Sequence, residues 1–180
     1  MRIRSARSLV LAIDLQDKLL AMLDPEGRTS LLRASHRFLA SARALDVPIL
    51  LSAQYPKGLG PVHTEFLEFA TTLEKTEFSC YANPAIRNAL RAQVERRQIC
   101  LLGVETHICV LQTALDLQAN GWDVVVAIDA TASRDPQQNE WGLSRLQQAG
   151  IILSSTESIF YEWMNDAADP RFRQLAPAWR

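Results

Sequence analysis

The chain has 180 residues, 48% hydrophobic and 22% charged, with 7 Gly, 8 Pro and a formal net charge of -1. A chain of this size buries about 70% of the surface its unfolded form exposes, so a single domain spanning 1–180 is expected without disulfide or metal staples. The near-neutral balance gives no electrostatic footprint for nucleic acid, and no apolar run is long enough to span a membrane.

The first eight residues are basic and free of acids, but the apolar run that follows is broken at Asp14, too early for a signal-peptide core. That run, 9–14, reads as a first strand closed by a carboxylate. An isolated buried carboxylate is costly, so Asp14 is solvated, paired, functional or a helix cap. Residues 30–45 place Leu31, Leu32, Phe38, Leu39, Ala42 and Leu45 at helical spacing, with arginines opposite. A second strand is expected over 47–52. The segment 54–66, with two prolines and two glycines, reads as irregular and as a pocket wall at the carboxyl end of that strand. A weak third strand over 71–75 ends at Lys75, either a surface lysine or a functional one. Asn83-Pro84 caps and opens a helix to about residue 96.

The stretch 99–110 is the most informative. Ile99 to Leu102 reads as a buried parallel strand (98–102) bounded by Gly103, and Cys109 falls in the first turn of the helix that follows, which Asn120-Gly121 stops. Free N–H groups and the macrodipole favour negative charge there and predict an enlarged thiolate fraction. An inert buried thiol is the alternative. A fifth strand over 122–128, a helix from Pro136 to Ala149-Gly150, a sixth strand over 151–154 and a helix from Thr156 carrying Ile159, Phe160, Trp163 and Met164 complete the series. The three cysteines, Cys80, Cys100 and Cys109, have neither zinc-like nor redox-pair spacing and suit a reducing cytoplasm.

Alternating strands and helices imply an α/β fold: a three-layer, doubly wound parallel sheet of about six strands, order 3-2-1-4-5-6, with helices on both faces. Right-handed crossovers then set the first and fourth strands side by side where the winding reverses, the crevice in which ligands bind. Asp14 and Cys109 meet there, and Lys75 arrives from the outer strand.

Asp14 in its Ile-Asp-x-Gln context, Lys75 ahead of Phe78-Ser79, the run Gly103-Val104-Glu105-Thr106-His107-Ile108-Cys109-Val110 and AspAlaThrAlaSerArg at 129–134 together resemble the isochorismatase-like cysteine hydrolases. That family also contains nicotinamidases and other amide hydrolases. TyrProLysGlyLeuGly at 55–60 is similar to a subgroup of isochorismatase-domain proteins, although Ala53 stands where that subgroup often has Glu.

The resemblance implies a catalytic triad of Asp14, Lys75 and Cys109, a cis Val104–Glu105 bond and an oxyanion hole from the N–H groups of Glu105 and Cys109. Nicotinamidase-like members bind zinc through an Asp and histidines just after the second strand. Ser52, Ala53, Gln54 and Tyr55 stand there and His63 is alone, so neither metal nor cofactor is expected. Gln16, Gln54, Tyr55, Phe78 and His107 are the candidate pocket residues.

The expected function is metal-independent hydrolysis of a small amide or related carbonyl compound through a thioester. A catalytically silent binding or assembly protein and an isochorismate-type enol ether hydrolase are the alternatives. The expected partners are a small-molecule substrate and further copies of the chain, as a homodimer or larger homo-oligomer, with no nucleic acid or membrane. Trp163, Phe172 and Trp179, around a tail at 169–175 that resembles the family's closing segment, are expected to form the exposed apolar patch that seeks a copy.

Overall fold

Strands β1 (Ser8–Ile13) and β4 (Gln98–Val104) are buried along their whole length, as unbroken apolar runs require when helices cover both faces of a sheet. The computed structural model describes residues 1–179; Arg180, the last residue of the expected 1–180 domain, lies outside the described residues. With β2 (Ile49–Gln54), β3 (Thr72–Lys75), β5 (Asp123–Ala132) and β6 (Ile152–Ser154) they form one all-parallel sheet. Its order is β3-β2-β1-β4-β5-β6, as expected.

Alternation along β1 divides the core. Leu9, Leu11 and Ile13 pack with Ile86, Leu90, Leu117 and Leu146 from α4 (Pro84–Arg91), α5 (Leu111–Ala119) and α6 (Pro136–Gln148). Val10 and Ala12 point the other way, onto Phe38 and Leu39 of α2 (Pro25–Ala44) and Ile159 and Phe160 of α7 (Thr156–Met164).

β1 and β4 approach closely at one point. Ile13 pairs with Gly103, whose φ is +116°, and a Cβ placed there would lie 2.0 Å from the Ile13 carbonyl oxygen. Only glycine fits, and the next residue along β1 is Asp14.

Several boundaries differ from the sequence reading. α2 begins before residue 30 because Asp24 accepts from the Gly27 N–H and Pro25 occupies the first helical position. α4 ends at Arg91 rather than near 96. β5 extends past 128 because its register against β4 shifts between Leu101 and Gly103. The two outward residues, Ile128 and Asp129, are exposed, and the Asp129 carboxylate accepts from the Thr156 N–H and hydroxyl at 2.7 and 2.6 Å.

The segment 54–66, expected to be irregular, holds one helical turn, α3 (Pro56–Leu59), again opened by proline, and a 3₁₀ turn (Thr64–Phe66). Trp163 and Trp179 do not form the exposed patch expected of them. Trp163 stacks on Phe38 and Trp179 on Phe160 with ring centroids 4.9 and 4.8 Å apart, and their indole N–H groups donate to Ser8 and Ser41. Both tryptophans are buried in the chain's own core, and Phe172 packs against it.

Candidate active site

Asp14 leaves β1 in the left-handed region (φ 54°), which aspartate tolerates better than most residues. Its carboxylate is fully buried and each oxygen has a partner. Oδ2 accepts from Lys75 Nζ at 2.7 Å, and Oδ1 accepts from the Ser52 hydroxyl at 2.7 Å. Lys75, the last residue of β3, is buried too. Its ammonium also donates to Gln54 Oε1 at 2.5 Å and to the carbonyls of Glu77 and Phe78 at 3.2 and 3.4 Å. Pairing of Gln54 with Lys75 across β2 and β3 puts that amide beside the ammonium.

Cys109 approaches from the other side of the crevice. It sits in a five-residue π turn (Thr106–Val110), not in the first turn of an ordinary α-helix, with α5 continuing from it. Its Sγ lies 3.9 Å from Gln54 Oε1. Three residues distant in sequence thus converge at the carboxyl ends of β1, β3 and β4, where the winding reverses.

The electrostatics correct one expectation. Burial, followed by the negative charge of Asp14 and a hydrogen bond to it, pushes the Cys109 thiol far above its ordinary range, and Lys75 offsets this only in part. The thiol is therefore protonated at neutral pH, because burial and the Asp14 charge outweigh the Lys75 charge. Burial alone would lower Lys75, yet the Asp14 charge and the bond to Asp14 raise it, so the ammonium stays charged.

A family model described as Isochorismatase domain matches residues 8–158. The chain belongs to the isochorismatase family. Isochorismatase domain-containing protein 2 of Rattus norvegicus is 35% identical over 177 residues, 97% of this chain and 81% of that protein. Isochorismatase domain-containing protein 1 of Danio rerio is 35% identical over 172 residues, 94% of this chain and 60% of that one. Among solved structures, MAR1 ribonuclease from Caenorhabditis elegans superimposes with a TM-score of 0.90 at 29% identity, covering 99% of this chain and 92% of that one.

In this isochorismatase-family chain the Val104–Glu105 peptide bond is cis. The Glu105 carboxylate is buried. It accepts from the Arg134 N–H at 3.0 Å and from the Arg134 guanidinium at 2.6 Å, fixing the segment after β5.

Of the candidate pocket residues, Gln54 lies between Lys75 and Cys109. The Gln16 side chain is buried: its amide N–H groups go to the carbonyls of Gln54 and Gly60, and its oxygen accepts from the Gln54 N–H. It is a buried clip between β1 and the 54–60 loop. Tyr55 is half-exposed and borders a 300 Å³ cavity with Pro56, Lys75, Thr76 and Asn83. Phe78 is exposed. His107 pairs with the Ser133 hydroxyl at 2.9 Å instead of joining Cys109.

No group of three or more His, Cys, Asp or Glu side chains among the described residues could hold a metal ion. The sequence reading missed the contact of Ser52 with Asp14. A lone hydroxyl inside the otherwise apolar 49–53, pairing level with Ile13, was the available signal.

Proposed function

We propose that this chain is a metal-independent cysteine hydrolase of small amides or related carbonyl compounds, with Cys109 as nucleophile, Asp14 as base and acid, and Lys75 holding Asp14. The observation that carries this reading is the fully buried Asp14–Lys75 pair facing the Cys109 thiol at the sheet's carboxyl edge. The protonated resting thiol suits it, since a neighbouring carboxylate is needed to take the proton as the thiol attacks.

In the first half-reaction Cys109 Sγ bonds to the carbonyl carbon while its proton passes to Asp14. The C–N bond then breaks, the amine leaves with that proton, and a thioester remains. Water then attacks the thioester carbonyl and gives a proton to Asp14; the C–S bond breaks, Asp14 returns the proton to sulfur, and a carboxylic acid departs. The tetrahedral oxyanion of each half is received by the N–H groups of Glu105 and Cys109. In support, the Glu105 N–H donates to no backbone or side-chain acceptor among the described residues. Ser52, Ala53, Gln54 and Tyr55 at the end of β2 bring no acid and histidine set, which supports a reaction without metal.

The name of the Caenorhabditis elegans ribonuclease brings RNA forward as a substrate. A net charge of -1 and a thiol only 5% exposed favour a small molecule for this chain. The assembly proposed with this reading is a homo-oligomer. Light scattering that finds only monomer at micromolar concentration overturns that part.

The central test is intact mass after incubation with 4-nitrophenyl acetate. The native chain gains one acetyl group on Cys109 and Cys109→Ala gains none. No adduct, or the same adduct on Cys109→Ala, refutes the thioester mechanism.

A further inference from the structure

Ser52 and Cys80 take no part in the mechanism above, yet both are fully buried beside Asp14. The Ser52 hydroxyl has one proton and two lone pairs. The Asp14 N–H, shared with the Ser52 carbonyl, donates to Ser52 Oγ at 3.3 Å, and the Cys80 thiol donates to it at 3.5 Å. With both lone pairs engaged, the hydroxyl proton has one direction left, toward Asp14 Oδ1 at 2.7 Å. The Cys80 backbone is held in turn, its N–H donating to the Thr113 hydroxyl of α5 at 2.9 Å.

From this geometry we propose that Ser52 is a positioning residue for the reaction, a committed donor that fixes one oxygen of Asp14, with Cys80 setting the direction of that donor. The proposal rests on Asp14 acting as the base for Cys109. The groups facing Asp14 are Lys75 at the end of β3, Cys80 beyond it, Ser52 on β2 and Cys109 in the turn before α5. Lys75 supplies charge and Ser52 supplies orientation. A hydrogen bond given to the charged form of an acid favours that form, so removing it makes the carboxylate harder to ionise. Burial and the Asp14 charge push the Cys80 thiol up to about 11, so it remains an S–H donor throughout the working pH range.

The test is the pH dependence of Cys109 acylation, followed as the nitrophenolate burst from 4-nitrophenyl acetate between pH 4 and 8. Ser52→Ala is expected to move the acid limb upward by about one pH unit, about a tenfold loss of rate on that limb. Ser52→Thr keeps the hydroxyl and restores the original midpoint. Cys80→Ala shifts the midpoint in the same direction by a smaller amount, about twofold in rate. A merely structural role lowers the burst amplitude without moving the midpoint, and that result overturns the proposal. If Ser52→Ala does not fold, Cys80→Ala and the carboxyl titration of ¹³C-aspartate-labelled protein decide: an Asp14 midpoint unmoved by Cys80→Ala sinks the proposed chain of donors. Acylation of the native chain with an unmoved midpoint removes Ser52 alone, whereas absence of any Cys109 adduct removes the underlying hydrolase reading.

Discussion

Replacing Lys75 by methionine isolates the energetics on which the site depends. Methionine approximates the length of lysine and keeps the apolar stem, but it removes an ammonium that lies 2.7 Å from Asp14 Oδ2 with both side chains wholly excluded from solvent. Four acceptors lose a donor: Asp14 Oδ2, Gln54 Oε1 and the carbonyls of Glu77 and Phe78. A buried acceptor without a partner costs about 1–3 kcal/mol, more when charged, and breaking one side of a buried ion pair costs about 3–5 kcal/mol. A loss of about 4 kcal/mol is therefore expected. In urea, with a slope of about 2 kcal/mol/M, the unfolding midpoint falls by about 2 M. The double variant Asp14→Asn/Lys75→Met removes the stranded charge and is expected to recover to within about 2 kcal/mol of the parent. Arg7 and Asp123, 3.9 Å apart and about half-exposed, give the surface comparison, and breaking that pair costs less than about 1 kcal/mol. Should Lys75→Met cost no more than that, or the double variant be no more stable than the single, the pair does not sustain a buried charge and the reasoning fails.

Two further outcomes follow from the same geometry. Because its pKa is raised, Cys109 carries less thiolate at any given pH than a free cysteine. Its carboxamidomethylation by iodoacetamide is thus expected to be slower at pH 7 and to climb about tenfold per pH unit toward pH 9. Asp14→Asn removes a charge that holds the thiol protonated and is expected to speed this labelling; peptide mass mapping that finds Cys109 faster than free cysteine at pH 7 would reinstate activation by the helix start. Gly103→Ala sets a methyl 2.0 Å from a backbone oxygen at φ +116° and must part β1 from β4. A loss of at least about 3 kcal/mol, or about 10 °C in melting temperature, is expected, and a melting point within 2 °C of the parent would contradict it.

Much of this architecture was legible because its cause is local. The apolar runs at 9–13 and 99–102, and the turn signals between strands, need only period and punctuation to be read, and the crossover rule then places Asp14 opposite Cys109. The start of α2 at Asp24-Pro25 and of α3 at Pro56 was also written in the chain. The apolar periodicity starting near Leu31 drew attention away from the first, and the glycines and second proline of 54–66 masked the second. Other features depend on what surrounds a residue in space. The Cys109 thiol is pushed up by a burial that no spacing reveals, and the π turn that carries it differs from an α turn by one residue of register. Trp163 and Trp179 look exposable near a terminus, but their rings stack on Phe38 and Phe160 and their N–H groups find serines on β1 and α2. Ser52 stands out in the chain as a lone hydroxyl, but its partner follows from its level in the sheet, opposite Ile13 and next to Asp14.

The Gln16 clip has a consequence for how this scaffold can change its diet. Its grip on the 54–60 loop is made entirely to main-chain groups: the carbonyls of Gln54 and Gly60 and the N–H of Gln54. Those atoms are the same whatever side chains the loop carries. Tyr55, Lys57 and Leu59 can therefore be exchanged without releasing the loop's two ends, while Gln54 keeps its hold on Lys75. The rim of the crevice behaves as a replaceable cartridge on a fixed socket, and divergence can redraw its outline while the buried Asp14–Lys75 pair stays where it is.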